Sequence, residues 1–231
     1  MKRIILANNE YYHIYNRGVD KRKVFLNKND YIRFLHNLYE FNDEKRAPEY
    51  IRISNHDVGG STSHIDINEH REQLVDIICF CLMPNHYHLV LKQLIDDGIS
   101  KFMQKLNTGY TMAFNIKNKR SGALFQGRFK AVHIENENYL THLSRYIHLN
   151  PVELIEPNWK KYGIKNWKTV NDFLEKYRWS SYPDYIGKQN FPSITNRELL
   201  LDIFGNKKRY KNFVKEWLAE DFLKINDLIL E

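Results

Sequence analysis

The sequence contains only two cysteines, and it has no apolar run long enough to span a bilayer. Its first ten residues, MKRIILANNE, lack the apolar core of a secretory signal peptide. Cys79 and Cys81 lie two positions apart in an apolar segment, so they cannot form an ordinary disulfide and are expected to be small buried side chains. These absences exclude a disulfide-framed secreted fold and predict a soluble, cytoplasmic protein without a membrane partner.

The remaining composition is that of a folded, basic protein. The 231 residues are 42% hydrophobic and 14% aromatic, which is enough for one domain with a smaller appendage. The formal net charge is +7 and the sequence pI is about 9.2. A polyanionic partner such as nucleic acid fits this balance, because Lys and Arg displace counterions from a phosphate backbone. An ordinary basic protein with its aromatics in the core fits it equally well.

Hydrophobic periodicity predicts an α+β fold, in which helices pack on an antiparallel sheet. The predicted elements are a strand over 11–16, a helix capped by Asn29, two strands or one bent strand over 75–91, a helix over 99–114, a strand over 125–134 and a helix over 136–150. Pro151 ends this last helix. Residues 1–157 are expected to form the main domain, with a polar insertion at about 42–73, and residues 158–231 a helical C-terminal extension.

The segment His86-Tyr87-His88 lies inside an apolar strand. Because side chains alternate along a strand, both imidazoles occupy one face and Tyr87 the other. Two neighbouring imidazoles make a good platform for a divalent metal. Taken alone, the pattern also fits two unrelated polar residues on a solvated face, so a metal site requires a further group that converges on the pair.

The helix over 136–150 offers such a group. His142, Tyr146 and Asn150 recur every four residues and form one polar stripe beside an apolar one. Tyr146 is a candidate nucleophile, and the amide of Asn150 is a candidate third metal ligand. His148 points about 200° around the helix from Tyr146 and is expected on the surface. This arrangement is one among several that the residues allow.

Five segments resemble the IS200-like HUH single-tyrosine transposases, and among them the REP-associated tyrosine transposases. They are YHIYNRGVDKRKVF at 12–25, LMPNHYHLVL at 82–91, GALFQGRFKAVHI at 122–134, RYIHLNPV at 145–152 and WSSYPDYIG at 179–187. The five segments occur in the family's order. The resemblance fades in the insertion at 42–73 and in the tail at 195–231, so it implies no role for either.

The resemblance implies an HUH core of the ferredoxin-like or RRM-like type and a role for each central residue. His86 and His88 would hold Mg²⁺ or Mn²⁺ together with Asn150, and Tyr146 would cleave single-stranded DNA through a 5′-phosphotyrosine intermediate. Imidazole ligands favour softer ions than Mg²⁺, so Mn²⁺ is expected to support activity at least as well. Other HUH enzymes, namely replication initiators and relaxases, fit less well, because the chain has no helicase segment.

The expected partner is single-stranded or hairpin DNA, with a monomer favoured over a homodimer. Candidate DNA-binding residues are Arg17, Lys21, Arg22, Lys23, Arg120, Arg128, Lys130, Arg145, Arg178 and Trp179. Arg145 is the candidate clamp for the scissile phosphate, and Trp179 a candidate stacking platform. Any one of these charges could equally belong to an ordinary solvated surface. The alternative function is a domesticated DNA-hairpin-binding protein with little catalysis.

Overall fold

The computed structural model describes residues 5–45 and 71–216. Within them the strands are β1 (Tyr11–Arg17), β2 (Val75–Met83), β3 (His86–Gln93) and β4 (Lys130–Ile134). The helices are α1 (Lys28–Glu40), α2 (Gly98–Lys117), α3 (Glu137–Leu149), α4 (Trp159–Tyr162), α5 (Trp167–Lys176), α6 (Tyr182–Tyr185), α7 (Glu198–Phe204) and α8 (Lys207–Glu216). Most of the predicted insertion and the last part of the tail lie outside the described residues.

The strands form one antiparallel sheet in the order β2-β3-β1-β4. The apolar stretch over 75–91 is two strands, because Pro84 and Asn85 turn the chain so that Met83 pairs with His86. The predicted α+β class and the order β-α-β-β-α-β-α are therefore confirmed. The central position of β1 and β3 brings two distant parts of the sequence side by side.

Both faces of the sheet are covered, and each has its own apolar cluster. On one face, Ile14 and Tyr87 pack with Phe34 of α1 and Phe102 of α2. On the other, Val90 and the two free, buried cysteines pack with α3 and with the helices that follow it. The prediction that the cysteines are buried thiols is confirmed. The helix α3 thus lies between the sheet and the C-terminal helices.

The C-terminal helices share the second cluster with the sheet. Tyr185 of α6, Tyr210 of α8 and Val214 of α8 are fully buried in it together with Ile147 of α3. The predicted boundary near residue 157 therefore separates two segments of sequence that build one continuous core. Within the described ranges, no helix combines the length and the apolarity needed to cross a membrane.

Two element boundaries differ from the prediction for local reasons. The N-cap of α1 is Asn27 rather than Asn29, because Asn27 and Asp30 form a reciprocal capping box. The last strand begins at Lys130 rather than at Phe125, which makes only an isolated bridge with Gly18. Gly127 interrupts the extended chain with a φ of +103°, a conformation that glycine adopts without strain.

Candidate active site

The two histidines of β3 face α3. Their ring centroids lie 5.0 Å apart with the planes at 90°. Tyr87 between them points to the opposite face, where its buried hydroxyl donates to Oδ1 of Asn107 at 2.9 Å. The period of two along the strand thus places both imidazoles on one face, as predicted.

A third histidine, His13 on β1, supports this pair. Its Nε2 lies 2.9 Å from Nδ1 of His88, and the two rings stack at 5.1 Å between centroids. Both side chains are buried, at 3% and 1% exposure. One nitrogen of His88 is therefore fixed by His13, which leaves Nε2 as the atom oriented for a ligand.

His86 is held in a similar way by the residue before it. Its Nδ1 lies 2.6 Å from Oδ1 of Asn85, whose Nδ2 donates to the carbonyl of Lys21 at 3.3 Å. The turn between β2 and β3 is also bonded to the loop after β1, since the amide of Val24 donates to the carbonyl of Pro84. The hairpin turn therefore sets the orientation of the His86 ring.

Tyr146 enters the site from α3. Its ring meets the ring of His88 edge-on, with 5.9 Å between centroids and an interplanar angle of 86°. The ammonium of Lys160 lies 3.5 Å from the phenolic oxygen and 4.9 Å from the ring centroid. The Tyr146 side chain is only 3% exposed, so a substrate reaches the hydroxyl only if a neighbouring group moves.

The electrostatics of the site favour a neutral imidazole at His88. Burial lowers the pKa of His88 well below its usual range, and the charges of His86, His13, Lys160 and Arg17 act in the same direction. A neutral imidazole is the form that binds a metal ion. The surroundings are positively charged, which suits a phosphate.

Comparison with known proteins agrees with this geometry. Residues 52–150 match the IS200-like transposase family. The matched segment contains the His86-Tyr87-His88 strand and ends at Asn150, at the end of the tyrosine helix, so the resemblance seen in the sequence is confirmed there. A sequence search of curated proteins gave no match.

A solved structure of a REP-associated tyrosine transposase bound to a REP hairpin has the same fold. The two chains superpose with a TM-score of 0.53 at 17% identity, over 85% of this chain and 90% of the other. The share of the chain that superposes is larger than the segment 52–150 matched by the IS200-like transposase family model.

The residues expected to hold a metal in an IS200-like transposase fit that role in part. The Nδ1 atoms of His86 and His88 are both engaged by neighbours, as in proteins where Nε2 binds the ion. Asn150 is 1% exposed, and its Nδ2 donates to the Tyr146 carbonyl at 3.1 Å, which leaves its Oδ1 as the possible ligand. In the described part of the chain, no three His, Cys, Asp or Glu side chains form a metal-binding group. The two-histidine and amide set stays a prediction.

The prediction that His148 lies on the surface is wrong. It is fully buried, with Nδ1 2.6 Å from the Tyr210 hydroxyl and Nε2 2.8 Å from Oγ of Ser181. Burial lowers its pKa to about 3, so this imidazole is neutral. The side of α3 opposite the sheet is covered by α6 and α8, which makes His148 a structural residue.

Five predicted DNA-binding residues lie on β1 and β4 or in the segments next to these strands. Lys21 and Lys23 are exposed in the loop that bonds to the β2–β3 turn, and Arg128 and Lys130 are exposed at the start of β4. Arg17 is half-buried and pairs across the sheet with His86. Its Nε is buried and has no hydrogen-bond partner among the described residues. These five residues remain candidates for phosphate contacts.

Three other candidates are engaged by neighbours in the chain. Arg22 pairs with Asp20 at 3.2 Å. Arg120 donates to Oδ1 of Asn115 and to the carbonyl of Ala123, which closes the turn after α2. Arg178 is exposed and lies over the Phe191 ring at 5.3 Å. Each could contact DNA only by giving up or sharing these interactions.

The structure argues against the two remaining candidates. Arg145 is 5% exposed, donates to the Phe213 carbonyl at 3.2 Å and lies 4.2 Å from the Phe213 ring. It therefore ties α3 to α8 rather than clamping a phosphate. Trp179 stacks on Tyr31 with 4.5 Å between centroids and packs against both apolar clusters. Its aromatic surface is used in packing rather than presented to bases.

Reasoning from the sequence missed His13, Asn85 and Lys160. His13 carried a usable signal, because it lies in the first predicted strand and an antiparallel partner of the HxH strand would bring it alongside. Asn85 occupies the turn next to His86, where a side-chain contact could have been expected. Lys160 follows the NPV segment in a short polar stretch, where no local pattern predicts its contact with Tyr146.

Proposed function

We propose that this protein is a metal-dependent, single-tyrosine transposase that cleaves and rejoins single-stranded DNA at hairpin-bearing sites. The observation that carries the proposal is the contact between the tyrosine of α3 and the histidine strand. Tyr146 lies edge-on to His88, although the two are on separate elements. A nucleophile beside a metal-binding pair is the minimum that such a reaction requires.

The chemistry assigned to Tyr146 is an in-line displacement at phosphorus. The phenolic oxygen forms a bond to the scissile phosphorus, and the bond from phosphorus to the 3′ oxygen breaks. The phenol proton passes to water, and the departing 3′ oxygen takes a proton to become a hydroxyl. The 5′ end remains on Tyr146 as a phosphotyrosine, which retains the ester energy. A 3′-hydroxyl can therefore reverse the reaction and rejoin strands without ATP.

His86 and His88 are the residues that would hold the divalent ion, with Asn150 as the proposed third ligand. When bound, Mn²⁺ or Mg²⁺ polarises the phosphate and offsets its developing charge. His13 and Asn85 contact the Nδ1 atoms of His88 and His86 and thereby fix the orientation of the two rings. Because the ligands are neutral, the full charge of the ion would face the phosphate.

Single-stranded DNA that carries a hairpin is the proposed substrate. The structurally similar transposase is described as bound to a REP hairpin. In this chain, Lys21, Lys23, Arg128 and Lys130 offer exposed positive charge that suits a phosphate backbone. Sequence specificity would come from contacts with exposed bases, and no described residue is assigned to that role.

A monomer is the proposed functional unit. The tyrosine helix packs on the sheet of its own chain, and α8 holds it through Arg145 and His148. A tyrosine helix packed in this way supplies the nucleophile in cis. Light scattering during size exclusion tests this point, since a dimer at low micromolar concentration would contradict it.

The test of the main proposal is a denaturing gel of labelled hairpin DNA incubated with the protein and Mn²⁺ or Mg²⁺. We expect an SDS-resistant adduct that needs the metal and is lost in Tyr146→Phe. Tyr139→Phe, on the same helix and half-buried, is the matched control and should keep the adduct. Tight hairpin binding without any adduct would instead support a domesticated DNA-hairpin-binding protein.

A further inference from the structure

Lys160 contacts the proposed nucleophile and has no role in the reaction described above. It lies on the one-turn helix α4, fourteen residues after Tyr146. Its Nζ is 3.5 Å from the Tyr146 oxygen and 4.9 Å from the centre of the ring. The ammonium is therefore held at the reacting atom and against the face of the same side chain.

The local structure fixes α4 in this position. Trp159, the first residue of the helix, is 3% exposed and belongs to the apolar cluster under α3. The Glu156 carboxylate accepts from the backbone amides of Lys165 and Asn166, which closes the loop that follows. Lys160 is thus presented to Tyr146 from an anchored turn.

Within the part of the chain that the structure describes, no carboxylate neutralises the charge of Lys160. Among residues 5–45 and 71–216, no Asp or Glu forms an ion pair with it. The side chain is half-buried, so its field is screened less than that of an exposed lysine. An uncompensated, partly buried cation beside a nucleophile is the arrangement expected where a phosphate is to react.

We propose that Lys160 is a further catalytic residue, whose ammonium contacts the Tyr146 oxygen and the phosphate oxygens that this atom attacks. The inference rests on the proposed transposase function. As the bond from the Tyr146 oxygen to phosphorus forms and the bond to the 3′ oxygen breaks, the ammonium stabilises the negative charge on the phosphate. Lys160 keeps its proton, because in-line attack places the departing 3′ oxygen on the far side of phosphorus.

The adjacent residue supplies a matched control. Lys161 is exposed and lies over the ring of Tyr162 at 5.0 Å, away from the nucleophile. A substitution there removes the same charge from the same helix without touching Tyr146. Any general effect of charge on DNA attraction should therefore appear equally in both variants.

The experiment measures the single-turnover rate of adduct formation at saturating hairpin DNA and fixed Mn²⁺. We expect Lys160→Met to lower this rate about 100-fold, the size typical for loss of one transition-state contact. Lys160→Arg should recover part of the rate because it restores the charge, and Lys161→Met should stay near the wild-type rate. Lys160→Gln, a second neutral variant, replaces Lys160→Met if thermal unfolding shows that the latter is not folded.

Three results would overturn the assignment. A saturating rate for Lys160→Met equal to that of Lys161→Met would leave Lys160 without a catalytic role. A faster rate would mean that Lys160 only covers the tyrosine. A loss confined to DNA affinity would make it a binding contact. Each differs from failure of the proposed function, in which the wild-type protein itself forms no adduct and the Lys160 assignment falls with it.

Discussion

His13 and His88 are 75 residues apart in the sequence, yet Nε2 of the first lies 2.9 Å from Nδ1 of the second. The contact exists because β1 and β3 are neighbours in the sheet. It fixes which nitrogen of His88 points into the site. Groups that orient a metal-binding histidine in this way contribute to metal affinity without touching the ion.

We therefore expect His13→Ala to raise the Mn²⁺ concentration needed for half-maximal adduct formation by about 10- to 100-fold. The measurement is a Mn²⁺ titration of the adduct reaction, with thermal unfolding as a check on folding. His133→Ala is the matched control, because this histidine is on the adjacent strand β4 and pairs at the surface with Glu10 at 2.8 Å. An unchanged Mn²⁺ requirement in His13→Ala would show that His13 serves packing alone.

A second prediction concerns the buried polar contacts between α3 and α8. The Tyr210 hydroxyl lies 2.6 Å from Nδ1 of His148 and donates to Oγ of Ser144 at 3.1 Å. Tyr210→Phe leaves both groups buried without this partner, so we expect the free energy of unfolding to fall by about 1–3 kcal/mol. Chemical denaturation measures it. Tyr162→Phe, at a site 67% exposed, should change it by less than about 0.5 kcal/mol. Equal losses in the two variants would contradict the assignment.

The central residues of the site could be predicted from the sequence because the patterns that identify them are local. The alternation of His86, Tyr87 and His88 in an apolar strand places two imidazoles on one face whatever the rest of the chain does. Tyr146 could be assigned a role because the motifs around it resemble a family. The order of strands and helices followed from the same short-range periodicity.

The remaining features depend on contacts between distant segments. His148 was expected on the surface because it points about 200° around the helix from Tyr146, but α3 is covered by the sheet on one side and by α8 on the other. Arg145 was expected at a phosphate because it is next to Tyr146 in the sequence, but it packs against Phe213 of α8. Lys160 reaches Tyr146 only because the chain folds back after the NPV segment. No local pattern in the sequence carries this information.

A third prediction separates Arg145 from the candidates on the surface. Arg145→Met removes the hydrogen bond to the Phe213 carbonyl and the stacking on the Phe213 ring, so we expect a loss of about 1–3 kcal/mol in unfolding free energy. Hairpin affinity and its salt dependence should stay near wild type. Arg128→Ala, at an exposed position, should do the opposite and reduce the slope of log affinity against log salt by about 1. A reduced salt slope in Arg145→Met would restore its predicted role at the phosphate.

A fourth prediction concerns Glu175 of α5, which links two later segments. Its carboxylate pairs with Lys188 at 2.8 Å and with Lys211 of α8 at 2.6 Å. Burial raises the pKa of Glu175, but hydrogen bonds from Lys188, Lys211 and Asn171 outweigh it and lower the pKa to about 2. A carboxyl with a depressed pKa stabilises the fold fully above its unfolded pKa. It loses that contribution as the pH falls from about 4.5 towards 2.

Glu175→Gln should therefore be less stable than wild type by about 1–2 kcal/mol at pH 6, a value discounted because both lysines are partly exposed. The difference should shrink below pH 4.5 and become small near pH 2, where about half of the wild-type carboxyl groups are protonated. Urea denaturation at several pH values measures it. Asp172→Asn, exposed on the same helix, is the control and should show little difference at any pH. A difference in unfolding free energy between wild type and Glu175→Gln that is as large at pH 3 as at pH 6 would contradict this. It would mean that packing, not charge, joins α5 to α8.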